Sequence, residues 1–299
     1  AEQRLVASAV LAKCDALDGT SDGLVQDTAA CQAAFNLDRD VPTCSGARDG
    51  SCLSAAQKLV IAKRFSGETT SAGTTFYSSW PFDAGIGSGN TAFWNFTAPL
   101  VLDSGAVGFI WQVPPENPAT FNGPAFALSA NVDTMLAKIQ ATNATYTESA
   151  LSFMTPPNPS KLGTLKNRGA KMMVYHGTSD PIFSSDDTTA WYESLRTANG
   201  GDAANFARFY RVPGMTHCSG GPSTDQFDML TPLVAWVEQG TAPDSVVASA
   251  RGAGNAAAAN PDVPADWSAT RTRPLCAYPK VARYNGSGSI ESAGSFSCQ

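Results

Sequence analysis

The segment formed by residues 171–221 constrains the fold of this 299-residue chain more than any other part of it. Two short apolar runs, residues 172–175 and 206–212, each end at a turn sequence that contains glycine, which is typical of buried β-strands. Residues 188–197 lie between them and have the periodicity of an amphipathic helix. A strand, a helix and a strand in this order predict two parallel strands in an α/β fold.

One acidic and one basic side chain follow these two strands. Asp180 comes after the first strand, and His217 comes after the second. Open α/β sheets place their functional sites at the carboxyl ends of the strands, and an Asp followed by a His is the order of the last two members of an α/β-hydrolase triad. Either residue alone is explained as an ordinary turn residue, but their joint placement favours a catalytic pair. The other histidine, His176, stands at the end of the first strand and is interpreted as a structural residue of that turn.

A pair of this kind needs a serine whose proton the histidine takes while the Asp orients the imidazole. That serine stands on a sharp turn between a strand and a helix, usually within G-x-S-x-G. Ser88 and Ser287 are flanked by glycines, but the sequence around them predicts loops, and Ser219 belongs to the histidine motif itself. Since the serine comes before the Asp in such triads, we expect it in a segment of the same protein N-terminal to Ala1.

The charge and the cysteines narrow the class of protein. The formal net charge is −6 and no basic run is present, which argues against nucleic acid as a partner. No apolar stretch reaches the length of a transmembrane helix, so we expect no membrane partner. The seven cysteines include no C-x-x-C pair, which favours disulfides over a zinc or redox site, although their connectivity is not fixed by sequence. Disulfides predict an oxidising compartment, so we expect a secreted or periplasmic protein.

An acidic loop between Cys14 and Cys31 is a candidate metal site. It holds Asp15, Asp18, Asp22 and Asp27, with Gly19 and Gly23 between them. Clustered carboxylates repel one another unless a cation neutralises them, and Ca²⁺ takes six to eight oxygen ligands, including backbone carbonyls. The spacing is not that of an EF-hand loop. A solvated acidic turn is the alternative interpretation.

Residues 66–159 are rich in Gly, Ser, Thr, Asn and Pro and also contain many aromatic side chains. This composition predicts a lid domain over residues 1–160, followed by part of a hydrolase domain over residues 161–299. Most of the aromatic side chains are expected to pack within the lid. We expect Trp94 and Phe96 to face an aromatic substrate.

Several longer stretches resemble the family of tannases and bacterial feruloyl esterases, which also contains hydrolases of terephthalate monoesters. The resemblance is carried by HGTSD, VPGMTHCSGG and DMLTPLVAWVEQG. The upstream stretch CDALDGTSDGLVQDTAAC resembles the calcium-binding lid loop of that family, and RTRPLCAYPKVARYNGSGS resembles its C-terminal segment. The resemblance implies an α/β-hydrolase fold, of which this chain holds the last strands of the sheet and a large aromatic-rich lid.

The resemblance also implies roles for individual residues. Asp180 and His217 would be catalytic, and Phe183 would join Trp94 and Phe96 in binding the substrate. A structural Ca²⁺ would be held by the carboxylates of Asp15, Asp18 and Asp22 and by the backbone carbonyls of Thr20 and Leu24. The implied disulfides are Cys14–Cys31, Cys44–Cys52 and Cys276–Cys298. In the family the cysteine after the catalytic histidine, here Cys218, pairs with a cysteine beside the serine, which fits a serine upstream of this chain.

Together these features predict a serine-type carboxylic-ester hydrolase acting on small phenolic acid esters such as ferulates or gallates. A terephthalate-monoester hydrolase is an alternative, but its substrate carboxylate calls for an arginine. In relatives of that type an arginine follows a lid tryptophan, whereas Asn95 follows Trp94 here, and residues 65–167 contain no arginine. The absence of the serine also leaves open a non-catalytic, calcium-bound module that binds phenolic ligands.

Overall fold

All strands of the chain lie in its C-terminal part, from residue 172 onward, in a computed structural model that describes Ala1–Gln299. The strands are β1 (Met172–Gly177), β2 (Ala207–Val212), β3 (Gln226–Phe227), β4 (Ser245–Ser249), β5 (Thr272–Cys276), β6 (Ala282–Tyr284) and β7 (Phe296–Cys298). The first 160 residues are helical or irregular, with only isolated bridges outside the helices. This change in secondary structure falls near the predicted boundary between lid and hydrolase part, which stays a prediction.

Twelve α-helices accompany these strands. They are α1 (Glu2–Cys14), α2 (Thr28–Ala34), α3 (Leu37–Asp40), α4 (Ala55–Phe65), α5 (Gly89–Phe96), α6 (Ser104–Ala106), α7 (Gly123–Leu128), α8 (Val132–Gln140), α9 (Ala150–Met154), α10 (Gly163–Asn167), α11 (Ser185–Ala198) and α12 (Leu230–Gln239). Two π-helical stretches, Pro99–Asp103 and Val107–Trp111, flank α6. None of the helices combines the length and the apolar character that a membrane span requires.

The predicted β-α-β unit is confirmed. β1 and β2 pair in parallel, from Met172 opposite Ala207 to Gly177 opposite Val212. Helix α11 joins them and begins at Ser185, three residues before the predicted start, because the Ser184 hydroxyl accepts a hydrogen bond from the backbone of the first turn. The apolar periodicity starts later than this cap, which is why the sequence placed the helix too late.

The C-terminal strands extend the structure beyond this pair. β3, β4 and β5 form an antiparallel sheet, and a bridge between Tyr210 and Ala277 ties its end to β2. The amphipathic pattern of residues 227–238 predicts a helix, but the helix starts only at Leu230, because Phe227 pairs with Ala248 in the sheet. Gly240 ends this helix with a φ of 73°, as a C-terminal glycine should.

Residues 248–266 are low in complexity and rich in Ala, Gly and Pro, which predicts a mobile loop. The structure differs at the start of this range and at one buried position within it. Ala248 lies in β4 and is fully buried. Asn260 is also buried, and its side chain donates a hydrogen bond to the carbonyl of Gly221 over 2.8 Å. The low complexity of the segment hid these long-range contacts, which attach it to the turn that follows His217.

Two groups of apolar side chains hold the strand pair in place. Tyr192 and Leu195 of α11 pack against Phe206 and Phe209 on one side of it. On the other side Tyr210, Val212 and Met215 pack against Val246 and Leu275 of the antiparallel sheet. Full burial of one such side chain contributes about 1.5–3 kcal/mol, so the strand ends that carry the candidate site rest on a rigid base.

The three implied disulfides are confirmed. Cys14 is bonded to Cys31, Cys44 to Cys52, and Cys276 to Cys298, with Cα–Cα distances of 5.0, 5.0 and 5.5 Å. Cys218 is exposed and has no disulfide partner within this chain. Two of the bonds stabilise the helical part, and the third attaches β7 to β5.

Candidate active site

The structure brings Asp180 and His217 together. Each follows the end of a parallel strand, and Nδ1 of His217 lies 3.0 Å from Oδ2 of Asp180. The Asp180 side chain is 6% exposed, whereas that of His217 is 24% exposed. A buried carboxylate beside a partly exposed imidazole is the arrangement in which the acid orients the base and the base faces the substrate.

The Asp180 carboxylate is held in its ionised form by several donors. Backbone amides of Ile182 and Phe183 donate to Oδ1 over 2.9 and 3.0 Å. Burial by itself raises the pKa of Asp180, but hydrogen bonds from His176, His217 and the backbone outweigh it, so the pKa lies below its usual range. The charge that would stabilise a protonated His217 is therefore present at neutral pH.

His176 contacts the same carboxylate, which the sequence analysis missed. Its Nε2 lies 3.3 Å from Oδ2 of Asp180 and 3.1 Å from the carbonyl of Phe183, and its Nδ1 lies 2.8 Å from the Thr188 hydroxyl. Because both partners of Nε2 are acceptors, Nε2 carries the proton and Nδ1 accepts from Thr188. His176 does form the expected hydrogen bonds around its turn. The available signal was its position four residues before Asp180, across a turn tight enough for the side chains to meet.

Two of the predicted aromatic residues surround the imidazole. The ring of Trp94 lies 5.1 Å from that of His217 in an edge-to-face arrangement, and the ring of Phe183 lies 5.6 Å away. Phe96 does not contact His217; it is 67% exposed and lines a neighbouring cavity. An aromatic group that enters beside His217 would meet the faces or edges of Trp94 and Phe183.

Trp94 reaches this place because α5 begins at a buried cap. Ser88 is 4% exposed, and its hydroxyl accepts a hydrogen bond from the backbone of Thr91 over 3.0 Å. The sequence analysis placed Ser88 in a loop, whereas it caps a helix. A serine that is buried and engaged in a cap is still not a nucleophile, and no serine of the chain is hydrogen-bonded to the ring of His217.

A cavity of about 800 Å³ adjoins the pair, with Trp94, Pro181 and Ile182 in its wall. Apolar side chains of α1 and α4 form much of the remaining surface, together with the acidic residues Glu2, Glu68 and Asp103. Its one basic residue is Arg64, which lies just before the arginine-free interval of the sequence.

Arg64 is largely committed to other contacts. Its guanidinium lies 3.5 Å above the ring of Trp80, and one Nη donates to the carbonyl of Pro181 over 2.8 Å. The other Nη is buried without a hydrogen-bond partner. Burial lowers the pKa of Arg64, so the residue supports the turn after Asp180 more directly than it serves the cavity.

The acidic loop fits a cation at one of its carboxylates. Asp18 is 2% exposed, and its Oδ2 has no hydrogen-bond partner. Burial and, after it, the charge of Asp22 raise the pKa of Asp18 to about 7. A cation would satisfy the unpaired oxygen and relieve both effects.

Two of the other implied ligands, the carboxylates of Asp15 and Asp22, already have partners within the protein. Asp22 forms a buried ion pair with Arg273, and Asp15 accepts hydrogen bonds from the backbone of Asp22 and Gly23. The backbone amides of Thr20 and Leu24 donate to Asp18 and Asp22. No group of three acidic, histidine or cysteine side chains converges as a metal cage, so the residues fit a cation only in part.

Comparison with known proteins assigns the chain to a family. The family model described as tannase and feruloyl esterase matches residues 1–299. The chain belongs to the tannase and feruloyl esterase family, as the resemblance in its sequence implied.

Among its relatives, the mono(2-hydroxyethyl) terephthalate hydrolase of Piscinibacter sakaiensis is 40% identical over 330 residues, covering 100% of this chain and 51% of the relative. A probable feruloyl esterase B-2 of Aspergillus flavus is 26% identical over 266 residues, and the match covers 81% of this chain and 46% of the relative. The chain thus spans about half the length of the relatives it matches.

The fold is shared with a solved structure of feruloyl esterase B from Aspergillus oryzae. The TM-score is 0.65 at 23% sequence identity, and the match covers 100% of this chain and 57% of that one. At 23% sequence identity the comparison supports a shared fold only, and this fold is α/β-hydrolase-like.

Proposed function

We propose that this chain is the lid and C-terminal portion of a carboxylic-ester hydrolase that cleaves esters of aromatic acids. The observation that carries the proposal is the hydrogen-bonded pair of Asp180 and His217 after the ends of two parallel strands, with the rings of Trp94 and Phe183 next to the imidazole. Membership of a family of aromatic-ester hydrolases supports the same conclusion.

In the proposed reaction His217 acts as the base. Asp180 holds Nδ1–H, so Nε2 is free to take the proton of a serine hydroxyl as the serine oxygen attacks the ester carbonyl. His217 then returns the proton to the leaving alcohol, and water releases the acid by the same steps in the second half. Trp94 and Phe183 would orient the aromatic acid beside the imidazole.

The serine would come from a segment of the same protein that precedes Ala1, together with the oxyanion donors. The doubled length of the relatives supports this. The sheet formed by β1 and β2 has only two strands, so the second edge of β1 is available to further strands. A cysteine in that segment would also provide a partner for Cys218.

We favour a neutral phenolic ester, such as a ferulate or gallate, over a substrate with a free carboxylate. Three acidic residues line the cavity, and its one arginine is stacked on Trp80 and bonded to a backbone carbonyl. A carboxylate placed there would meet repulsion without a bidentate partner. The 40% identity to a mono(2-hydroxyethyl) terephthalate hydrolase supports the other candidate substrate, a terephthalate monoester.

The experiment that decides between these substrates uses the protein that includes the upstream segment. It compares kcat/KM for methyl ferulate with kcat/KM for mono(2-hydroxyethyl) terephthalate. We expect the neutral ester to be preferred, and preference for the carboxylate-bearing ester would reverse the assignment. Tight binding of ferulate without turnover of either ester would instead support a non-catalytic module.

We also propose a structural Ca²⁺ at the acidic loop and export to an oxidising compartment. The unpaired, buried oxygen of Asp18 supports the first proposal, with Asp15 and Asp22 and the carbonyls of Thr20 and Leu24 as further ligands after local rearrangement. Three disulfides support the second. The ion would stabilise the loop and take no part in ester cleavage.

A further inference from the structure

Asp83 is a fully buried carboxylic acid at the point where the helical part meets both strand ends. It is 0% exposed, and its neighbours are hydrogen-bond donors without a charge. Oδ1 accepts a hydrogen bond from the backbone of Ala84 over 2.7 Å. Oδ2 accepts from the backbone of Gly214 over 2.9 Å and from the hydroxyl of Thr178. Burial of a carboxyl group without a cationic partner lowers the stability of the fold unless hydrogen-bond donors compensate. A buried acid at this position therefore suggests a role beyond packing.

The two donors to Oδ2 belong to the two turns of the candidate active site. Thr178 stands two residues before Asp180, and Gly214 stands three residues before His217. The amide of Gly214 also donates to the hydroxyl of Thr178 over 3.1 Å. One oxygen atom therefore joins the turn that carries the acid to the turn that carries the base.

The same turns are packed too closely for either to move alone. The backbone of Ser179 donates to the carbonyl of Met215 over 3.0 Å. A Cβ atom at Gly177 would stand 2.2 Å from that same carbonyl oxygen, so only glycine fits there. A change at Asp83 would therefore be transmitted to the spacing between the two turns.

Asp83 also connects this junction to the helix that carries Trp94. It caps the short helix Ala84–Gly87, and the amide of Gly85 donates to the hydroxyl of Ser179 over 3.0 Å. Ser88 follows directly and caps α5, which places the ring of Trp94 against His217. The Asp83 side chain is therefore connected to the helix that carries Trp94 and to the turns that carry Asp180 and His217.

We propose that Asp83 is a positioning residue that sets the distance and angle of the Asp180–His217 hydrogen bond. The proposal rests on the proposed ester hydrolysis. Asp83 touches neither the imidazole nor the Asp180 carboxylate, so it acts only through the two turns. Burial raises the pKa of Asp83, and the bonds from Thr178 and Gly214 oppose that shift.

The test compares Asp83→Ala and Asp83→Asn in the protein that includes the upstream segment. Loss of the bridging oxygen should misplace the turns by about 1 Å, and a misplacement of that size costs about 100-fold in rate. We expect Asp83→Ala to lower kcat by about that factor with KM for methyl ferulate almost unchanged. Asp83→Asn should lose less of kcat than Asp83→Ala, because its amide oxygen can occupy the Oδ2 position and keep both bridging bonds, although its NH2 group would then face the amide of Ala84.

Asp133→Ala is the matched control. Asp133 also accepts a hydrogen bond from a backbone amide and one from a hydroxyl, both of Ser71, but on the exposed surface of the helical part. It should leave kcat unchanged. Thr178→Val removes one of the two bridging donors with little change in shape and serves where Asp83→Ala does not fold.

A second measurement separates this proposal from the proposed function. The deshielded Nδ1 proton of His217, observed by NMR, reports the hydrogen bond to Asp180 whether or not the protein turns over an ester. We expect that signal to shift or broaden in Asp83→Ala or Thr178→Val and to persist in Asp133→Ala. An unchanged signal, or an unchanged kcat in an active protein, would overturn the positioning role. A wild-type protein with the signal but no ester hydrolysis would instead overturn the proposed function.

Discussion

At the scale of single residues, the candidate site depends on one carboxylate with two imidazoles. Asp180 accepts from His217 and His176 and from two backbone amides. Sequence reasoning identified Asp180 and His217 because both directly follow strands. It missed the contact of His176, for which the position four residues before Asp180 was the only signal. It could not identify the role of Asp83, whose partner Thr178 is 95 residues away.

The first prediction concerns acid stability. The pKa of Asp180 is lowered in the folded protein, so this group contributes stability above its unfolded pKa of about 3.9, and the contribution is lost as the pH falls through the folded value. His176→Ala removes one donor and should raise the folded pKa. We expect its acid unfolding midpoint, followed by circular dichroism, to move to higher pH than in wild type. Thr188→Val, which leaves the contact with Asp180 in place, should move it less. Coinciding midpoints for His176→Ala and wild type would refute this.

The second prediction concerns a buried ion pair. Arg273 and Asp22 are paired with side chains 1% and 0% exposed. Arg273→Met would leave the Asp22 carboxylate buried without its partner, and we expect it to lower the free energy of unfolding by about 3–5 kcal/mol. In the control Arg196→Met the side chains of Arg196 and its partner Glu193 are 29% and 43% exposed, so the loss should be about 0–1 kcal/mol. Urea denaturation in the presence of a chelator measures both, and equal losses would contradict the expectation.

At the scale of elements, the sequence predicted those whose signals are local. The parallel β-α-β unit follows from apolar periodicity, and the same signal predicts a helix over residues 1–13, which is α1. Ser54 is a favourable N-cap that predicts a helix over residues 55–64, which is α4. The prediction was wrong where a long-range partner decides. Phe227 joins a strand because Ala248 is available to pair with it, and residues 248–266 are held by contacts with the turn after His217.

The third prediction concerns the acidic loop as an element. With Ca²⁺ present, a chelator should lower the melting temperature of the wild type and have little effect on Asp18→Asn. In the metal-free state Asp18→Asn should be at least as stable as wild type, because an amide replaces a buried carboxylate with an unpaired oxygen. Asp38→Asn, at an exposed position, should behave as wild type. A wild type that neither binds Ca²⁺ nor responds to the chelator would exclude the site.

The fourth prediction compares two disulfides by differential scanning calorimetry. Cys14 and Cys31 are 17 residues apart and buried in the core with Val10 and Val25, whereas Cys44 and Cys52 are 8 residues apart in a loop. Replacing the first pair by alanine should cost about 2–4 kcal/mol. Replacing the second pair should cost less, because a shorter loop restricts the unfolded chain less. The reverse order would indicate that strain or residual structure dominates.

At the scale of the whole molecule, the family and the fold were predictable because long motifs flank the site on both sides. The interior of the helical part was not, since its composition is rich in loop-forming residues and its aromatic side chains have no clear period. Trp94 contacts the ring of His217, while Phe96 lines the cavity, and their role in binding a substrate stays a prediction. Which aromatic side chain faces the site depends on the capped start of α5, a detail that a glycine-flanked Ser88 concealed.

The central claim is that this chain provides the acid and the base of an esterase whose nucleophile lies upstream. The most direct measurement is the hydrolysis of methyl ferulate by the protein with its upstream segment, by residues 1–299 alone, and by the longer protein with His217→Ala. We predict turnover only by the first, because removing one member of a triad costs several orders of magnitude. Steady turnover by residues 1–299 alone, abolished by His217→Ala, would contradict the claim and show that a serine of this chain is the nucleophile.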